Sequence, residues 1–161
     1  MPRPKNDRIV NEPPLYSEFK PLGVAGMSLK QVLLSLDEFE ATRLADYQGY
    51  SHKEAADEMN ISRSTFSRLI EQARKKIADF LVHGKLLTID GGSVHFRNNI
   101  IRCLDCGYMF KTNINVPLHN CPNCDSKNLL NLAGGFGHGR CCVNNNQNKG
   151  GLNARKRQNR T

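Results

Sequence analysis

Apolar residues return with a helical period from Ser35 onward. Leu36, Phe39, Leu44 and Tyr47 share one face, and Ser35 with Glu38 makes a capping box, the serine accepting from orphan amides while the acid reaches back. Gly49 stops this first helix. Ser51 with Glu54 repeats the signature and opens a short second helix that carries Ala55, Ala56 and Met59 inward. Asn60 follows, one of the few residues besides glycine that tolerates a left-handed backbone, and Ser62 caps a third, longer helix. Phe66, Leu69, Ile70, Ala73, Ile77, Phe80 and Leu81 form its apolar stripe, and Gly84 ends it.

On either side of this block the helical period is lost. Residues 1–34 carry prolines at 2, 4, 13, 14 and 21 and scattered aromatics, Tyr16 and Phe19, a pattern that predicts an extended arm with little regular structure. "LLTIDGGS", residues 86–93, reads as a short strand and turn, and the following "VHFRNNIIRC" alternates as a strand does. The pattern therefore predicts a mainly α protein in four parts: an N-terminal arm (1–34), a helical bundle (35–92), a small β unit (93–132) and a glycine-rich, basic, disordered tail (133–161). The boundary between bundle and β unit falls near Gly91 and Gly92.

A short helix, a tight turn and a longer second helix is the helix-turn-helix arrangement. Ala56 is small where the helices cross, Asn60 sits at the turn, Ile61 plugs the angle, and Phe66 and Leu69 bury the second helix against the first. Arg63, Ser64, Ser67, Arg68, Glu71, Arg74 and Lys75 are left facing outward, with Thr65 at the edge. Arginine makes bidentate contacts to guanine, hydroxyls bond bases or phosphates, and a helix N-terminus favours an anion. In such motifs the N-terminal residues of this helix meet base edges. The expected contacts are Ser62, Arg63, Ser64, Thr65, Ser67 and Arg68 at bases or nearby phosphates, and Arg74, Lys75 and Lys76 at the phosphate backbone. The bland alternative is an ordinary amphipathic helix with a solvated basic face.

Charge distribution weighs on that choice. The net charge of +8 points to a polyanionic partner only if it is localised. Residues 35–58 hold seven acids and two bases, whereas residues 59–85 hold six bases and two acids. Positive charge thus gathers on the one helix suited to a major groove. "PRPK" at 2–5 is a second candidate contact or simply a solvated terminus, and residues 144–161 add five bases and no acid.

Two pairs, "CLDCG" at 103–107 and "CPNCD" at 121–125, predict a metal site made by Cys103, Cys106, Cys121 and Cys124. One structural Zn²⁺ in a zinc ribbon suits this spacing; the alternatives are iron in the same four-thiolate geometry or a thiol redox pair. Gly107 supplies the unusual backbone angle a knuckle needs, while Asp125 and Ser126 read as ordinary turn residues. With all four positions filled by protein, no place is left for a catalytic water. The apolar content of this unit is thin, so a metal staple is expected. Cys141 and Cys142 in "HGRCC" could offer a thiolate, with His138, to a metal or oxidant, or be reduced cysteines in a tail.

The runs "MPRPK", "YSEFKPLGV" and "LSLDEFEATRLADYQGYSHKEAADEMNISRSTFSRLIEQARKKIADFLVHGKLLTIDGG" resemble an uncharacterised family of small prokaryotic DNA-binding proteins over roughly residues 1–92. The central motif is also similar to the DNA-reading fourth region of bacterial sigma factors. The resemblance implies a winged-helix-like or sigma-like domain that binds DNA. Two departures matter: members of that family usually carry glycine where this chain has Asn60, and many have a cysteine in a "PRPKKC"-like run where this chain reads "PRPKND". The zinc assignment rests on spacing, not on this likeness.

These readings converge on a sequence-specific DNA-binding protein, a transcriptional regulator whose partner is double-stranded DNA, with RNA polymerase as a further candidate partner and a homodimer on a two-fold site as a candidate assembly. A ribosome- or RNA-associated zinc-ribbon module and an adaptor to the transcription machinery are the alternatives. No P-loop, no Ser-His-Asp logic and no open metal site argue for an enzyme. No apolar run approaches a membrane span or a secretory signal, so a cytoplasmic location is expected.

Overall fold

The computed structural model of the chain describes residues 7–138 and Cys142. They divide into two compact units, one from residues 7–10 and 14–94, the other from residues 11–13 and from residue 95 onward.

In the first unit, the arm expected to lack regular structure supplies strands. β1 (Arg8–Val10) buries Ile9 and Val10, and the Arg8 amide donates to the Ser93 carbonyl at 3.0 Å. β2 (Glu18–Phe19) and β3 (Gln31–Leu34) flank β4 (Leu86–Ile89) in a three-stranded sheet. β3 runs parallel to β4 in the register Val32↔Leu87 and Leu34↔Ile89, and these four side chains are buried. Parallel neighbours need a long crossover, and the helices between residues 35 and 84 are that crossover. The expectation of a mainly α helical bundle is therefore corrected: among the described residues four helices accompany eight strands, a mixed α and β architecture. Because β3 finds its partner more than fifty residues downstream, the period of residues 1–34 carried no trace of it.

The helices form as their caps predict. α1 (Leu36–Thr42) opens with the Glu38 carboxylate accepting from the Ser35 amide at 3.0 Å, then passes into a wider turn at Arg43–Tyr47, where the Gln48 amide reaches the Arg43 carbonyl at 2.9 Å. α2 (His52–Met59) starts on the reciprocal Ser51 and Glu54 bonds, at 3.2 and 3.1 Å. Asn60 closes it in the left-handed region, φ 57°, so that the Ile61 amide reaches back to the Ala56 carbonyl at 3.0 Å. α3 (Arg63–His83) begins with the Thr65 amide on Ser62 Oγ and ends at Gly84, φ 61°. Ala41, Leu44, Ala55, Ala56, Met59, Phe66, Leu69 and Ile70 make one core, with Ile61 partly buried against it.

Two members of the predicted stripes are exposed. Tyr47 is 85% exposed and Leu81 69% exposed: Tyr47 lies in the wider turn, where the ordinary helical spacing no longer holds, and Leu81 sits at the edge of its stripe, about 60° around the helix from Phe66, while Ile77 and Phe80 are half-buried.

In the second unit, β5 (Val94–Phe96) brings the chain in, and β6 (Asn98–Cys103) is the middle strand between β7 (Met109–Asn113) and β8 (Leu129–Asn131), both antiparallel to it. Ile100, Ile101, Phe96 and Ala133 form its small core. The buried Asn99 ties the sheet to α4 (Leu132–Gly135): its Oδ1 accepts from the Ala133 amide at 3.0 Å, and its Nδ2 donates to Asn131, which caps α4. The segment expected to be a disordered tail from residue 133 thus begins with a turn of helix. The "PRPK" start, Cys141 and residues 143–161 lie outside the described residues. No helix among the described residues is long and apolar enough to cross a membrane.

Candidate nucleic-acid interface and metal centre

The basic side of α3 is sorted by intramolecular ion pairs that the sequence did not announce. Lys76 Nζ bonds both oxygens of the buried Glu38 carboxylate, at 2.9 and 2.8 Å. Arg74 clasps Asp46 with Nε and Nη2, at 3.1 and 2.6 Å, which holds the Asp46 carboxyl below its ordinary range and raises the Arg74 guanidinium. Arg63, Arg68 and Lys75 are exposed and make no ion pair among the described residues. Ser64, Arg68 and Lys75 lie within about 40° of one another around the helix and span about 16 Å of its length.

The hydroxyls divide in the same way. Ser67 Oγ is 2.8 Å from His52 Nδ1, and the His52 ring packs edge-on to Phe66, so this serine joins α3 to α2. Thr65 Oγ1 lies 2.7 Å from Ser62 Oγ, inside the cap, with Ser64 Oγ 3.2 Å away. Of the nine predicted contacts, Ser62, Arg63, Ser64, Thr65 and Arg68 cluster at the first turns of α3, Lys75 extends the exposed row, and Ser67, Arg74 and Lys76 are engaged within the fold.

In the second unit the four cysteines converge: Cys103 Sγ is 3.5 Å from Cys124 Sγ, and Cys106 Sγ is 3.7 Å from Cys121 Sγ, with all four within 4.8 Å of one another. A tetrahedral ion with bonds of ~2.3 Å spaces its sulfurs ~3.8 Å apart, so the quartet fits one. Both halves are built alike. The Gly107 amide returns to the Cys103 carbonyl and the Asp125 amide to the Cys121 carbonyl, each at 2.9 Å. Gly107 and Asp125 adopt the same left-handed backbone, φ 76° and 62°. Asp125 is therefore the counterpart of Gly107, more than an ordinary turn residue.

Residues that spacing alone did not single out support the sulfurs. Asn123 donates its backbone amide to Cys121 Sγ at 3.4 Å and its side-chain amide to Cys106 Sγ at 3.6 Å. Asp105 accepts from Ser126 Oγ and from Asn128 Nδ2, linking the first pair to the second, and these bonds hold its carboxyl below the ordinary range. The Asn123 side chain and the Tyr108 backbone bring the Cys106 thiol down to about 6. Cys124, although drawn down by the Ser126 backbone, is pushed up to about 12 by desolvation and by the thiols of Cys103, Cys106 and Cys121. Four sulfurs this close do not all release their protons unless a cation sits among them. The quartet could hold a metal; His119 is exposed and no part of it.

Residues 1–97 match a family described as "Protein of unknown function DUF134". The chain is 44% identical over 143 residues to a UPF0251 protein of Chloroherpeton thalassium, covering 87% of this chain and 95% of that one. It is 41% identical over 145 residues to a UPF0251 protein of Caldicellulosiruptor saccharolyticus, covering 87% and 99%, and 40% identical over 126 residues to one of Pelotomaculum thermopropionicum, covering 78% and 95%. No solved structure matches. The chain belongs to this DUF134/UPF0251 family of small prokaryotic proteins.

Proposed function

We propose that this protein binds double-stranded DNA with α2 and α3 acting as a helix-turn-helix, and that it regulates transcription. The observation that carries the proposal is the division of cations along α3: the acids of α1 and its wide turn engage Lys76 and Arg74, while Arg63, Arg68 and Lys75 are left exposed at and beyond the N-terminal turns. A row of Ser64, Arg68 and Lys75 about 16 Å long suits a major groove ~12 Å wide, and the N-terminal amides of α3 favour a phosphate. Ser62 and Thr65 keep that helix end in shape, Ser67 fixes it to α2, and Arg63, Ser64 and Arg68 read bases. Since one such motif covers a few base pairs, a homodimer on a two-fold site is the assembly proposed.

The quartet Cys103, Cys106, Cys121 and Cys124 is proposed to hold one Zn²⁺ in a zinc ribbon, a structural role because protein fills all four positions. Selection of bound sequences from a random duplex library tests the main reading. A motif should emerge, and Arg68→Ala should cost ~1–3 kcal/mol at particular bases. Failure to enrich any motif refutes specific recognition. Tighter binding of structured RNA than of the duplex at the same salt concentration favours the RNA-associated alternative, and promoter effects that survive Arg63→Ala and Arg68→Ala favour the adaptor.

A further inference from the structure

The second unit brings together a second set of metal-ligating side chains, which has no overlap with the cysteine quartet. His95 lies in β5, His138 follows α4, and Cys142 is four residues beyond it. Their donor atoms lie within 4.8 Å of one another. Cys142 Sγ is 3.7 Å from His95 Nδ1 and 3.5 Å from His138 Nδ1.

We infer that His95, His138 and Cys142 form a second site, for a divalent transition-metal ion of the zinc class, with three protein ligands from the described residues. The distances fit. A tetrahedral ion with bonds of ~2.1 Å to nitrogen and ~2.3 Å to sulfur places each nitrogen ~3.6 Å from the sulfur. Both measured separations are within 0.1 Å of that value. Two imidazoles and a thiolate are the borderline-soft donors that zinc, cobalt and ferrous iron accept, and not a set for calcium or magnesium.

The supporting contacts are those of a prepared ligand set. Cys142 is buried, and the Phe96 amide donates to its sulfur at 3.3 Å, as amides do to metal-bound thiolates. The His138 ring stands edge-on to Phe96, centroids 5.0 Å apart, which fixes its plane. The His95 and His138 rings are 79° apart, so they converge on the sulfur without stacking on each other. The glycine-rich run has a purpose here: Gly137, φ 79°, and the His138 amide, which returns to the Ala133 carbonyl at 3.1 Å, fold the chain back after α4 and aim the histidine.

Metal content of the full chain and its Co²⁺ spectrum test the inference. The wild type should take up two equivalents of Zn²⁺ or Co²⁺, and His138→Asn with Cys142→Ser should lower this to one while the intense sulfur-to-cobalt bands of the tetrathiolate persist. Those bands show that the unit has folded. Conversely, Cys103→Ser with Cys124→Ser should remove them and leave the weaker one-thiolate spectrum. A wild-type titration that saturates at one equivalent with tetrathiolate bands overturns the inference, as does a Cys142→Ser protein that still binds two. If both equivalents are lost in the double variant, X-ray absorption at the second equivalent in the wild type decides: mixed nitrogen and sulfur neighbours uphold the site, sulfur alone removes it.

Discussion

Lys75 and Lys76 are neighbours that the sequence cannot tell apart, and the structure gives them different work. Replacing Lys76 by Met keeps most of its stem but leaves the Glu38 carboxylate, 5% exposed, without its cation. Breaking a fully buried pair costs ~3–5 kcal/mol and breaking an exposed one ~0–1. Lys76 is 39% exposed and Glu38 keeps the Ser35 amide, so the cost should lie between, at about 1–3 kcal/mol. For a unit of this size that corresponds to a fall in Tm of roughly 4–8 °C for each kcal/mol. Lys75→Met removes an exposed side chain with no ion pair among the described residues and should shift stability by less than ~0.5 kcal/mol. If α3 binds DNA as proposed, the order reverses there: Lys75→Met should reduce the slope of log affinity against log salt by ~0.9, and Lys76→Met should barely change it. Urea unfolding of each variant beside a salt titration of binding reads both quantities. A Glu38→Gln and Lys76→Met cycle should show coupling of about 1 kcal/mol or more. Equal stabilities, or a larger salt effect from Lys76→Met, would refute the division of labour along α3.

Asn60, at φ 57°, should accept glycine with little change in stability, whereas Asn60→Ala should lose about 1–2 kcal/mol in the same urea assay. Gly107→Ala should weaken metal retention in a chelator competition, while Asp125→Gly, which already has the backbone a glycine prefers, should not. The Asp46 carboxyl is held low by Arg74, so its folded pKa lies below the unfolded one; the clasp is present above the unfolded value of ~3.9 and is lost as pH falls through the folded one. The stability difference between wild type and Asp46→Asn should therefore be level above about pH 5 and shrink in acid, and a difference that grows on acidification would contradict the clasp.

Local features were legible in the sequence because their partners are three or four residues away. The capping serines, the left-handed Asn60 and Gly84 and the Cys-x-x-Cys pairs are of that kind. What escaped depends on residues distant in sequence: β3 on β4, Arg74 on Asp46, Lys76 on Glu38, and His95 on Cys142, 47 positions away. Charge shows the difference well. The reversal of sign between residues 35–58 and 59–85 reads as an exposed basic face, yet part of it is one set of acids answering one set of bases inside the unit. The arm was misread for a related reason, since strands of two to four residues have too few positions to show a period.

The repeated build of the two cysteine knuckles has a kinetic consequence. Each half presents its pair of sulfurs on its own hydrogen-bonded loop, so an ion held by the quartet would be gripped by two claws, tied to each other through Asp105 and Asn123, and would leave only after one had opened. The claws are unequally anchored: Cys103 ends the central strand β6, while residues 114–128, which hold Cys121 and Cys124, form no strand. The second claw should open first, so metal exchange would pass through a half-released state still held by Cys103 and Cys106. An incoming chelator or protein thiol can attack that state long before the sheet unravels, and the lifetime of the bound ion would then be set by the looseness of one loop, largely independent of the stability of the unit.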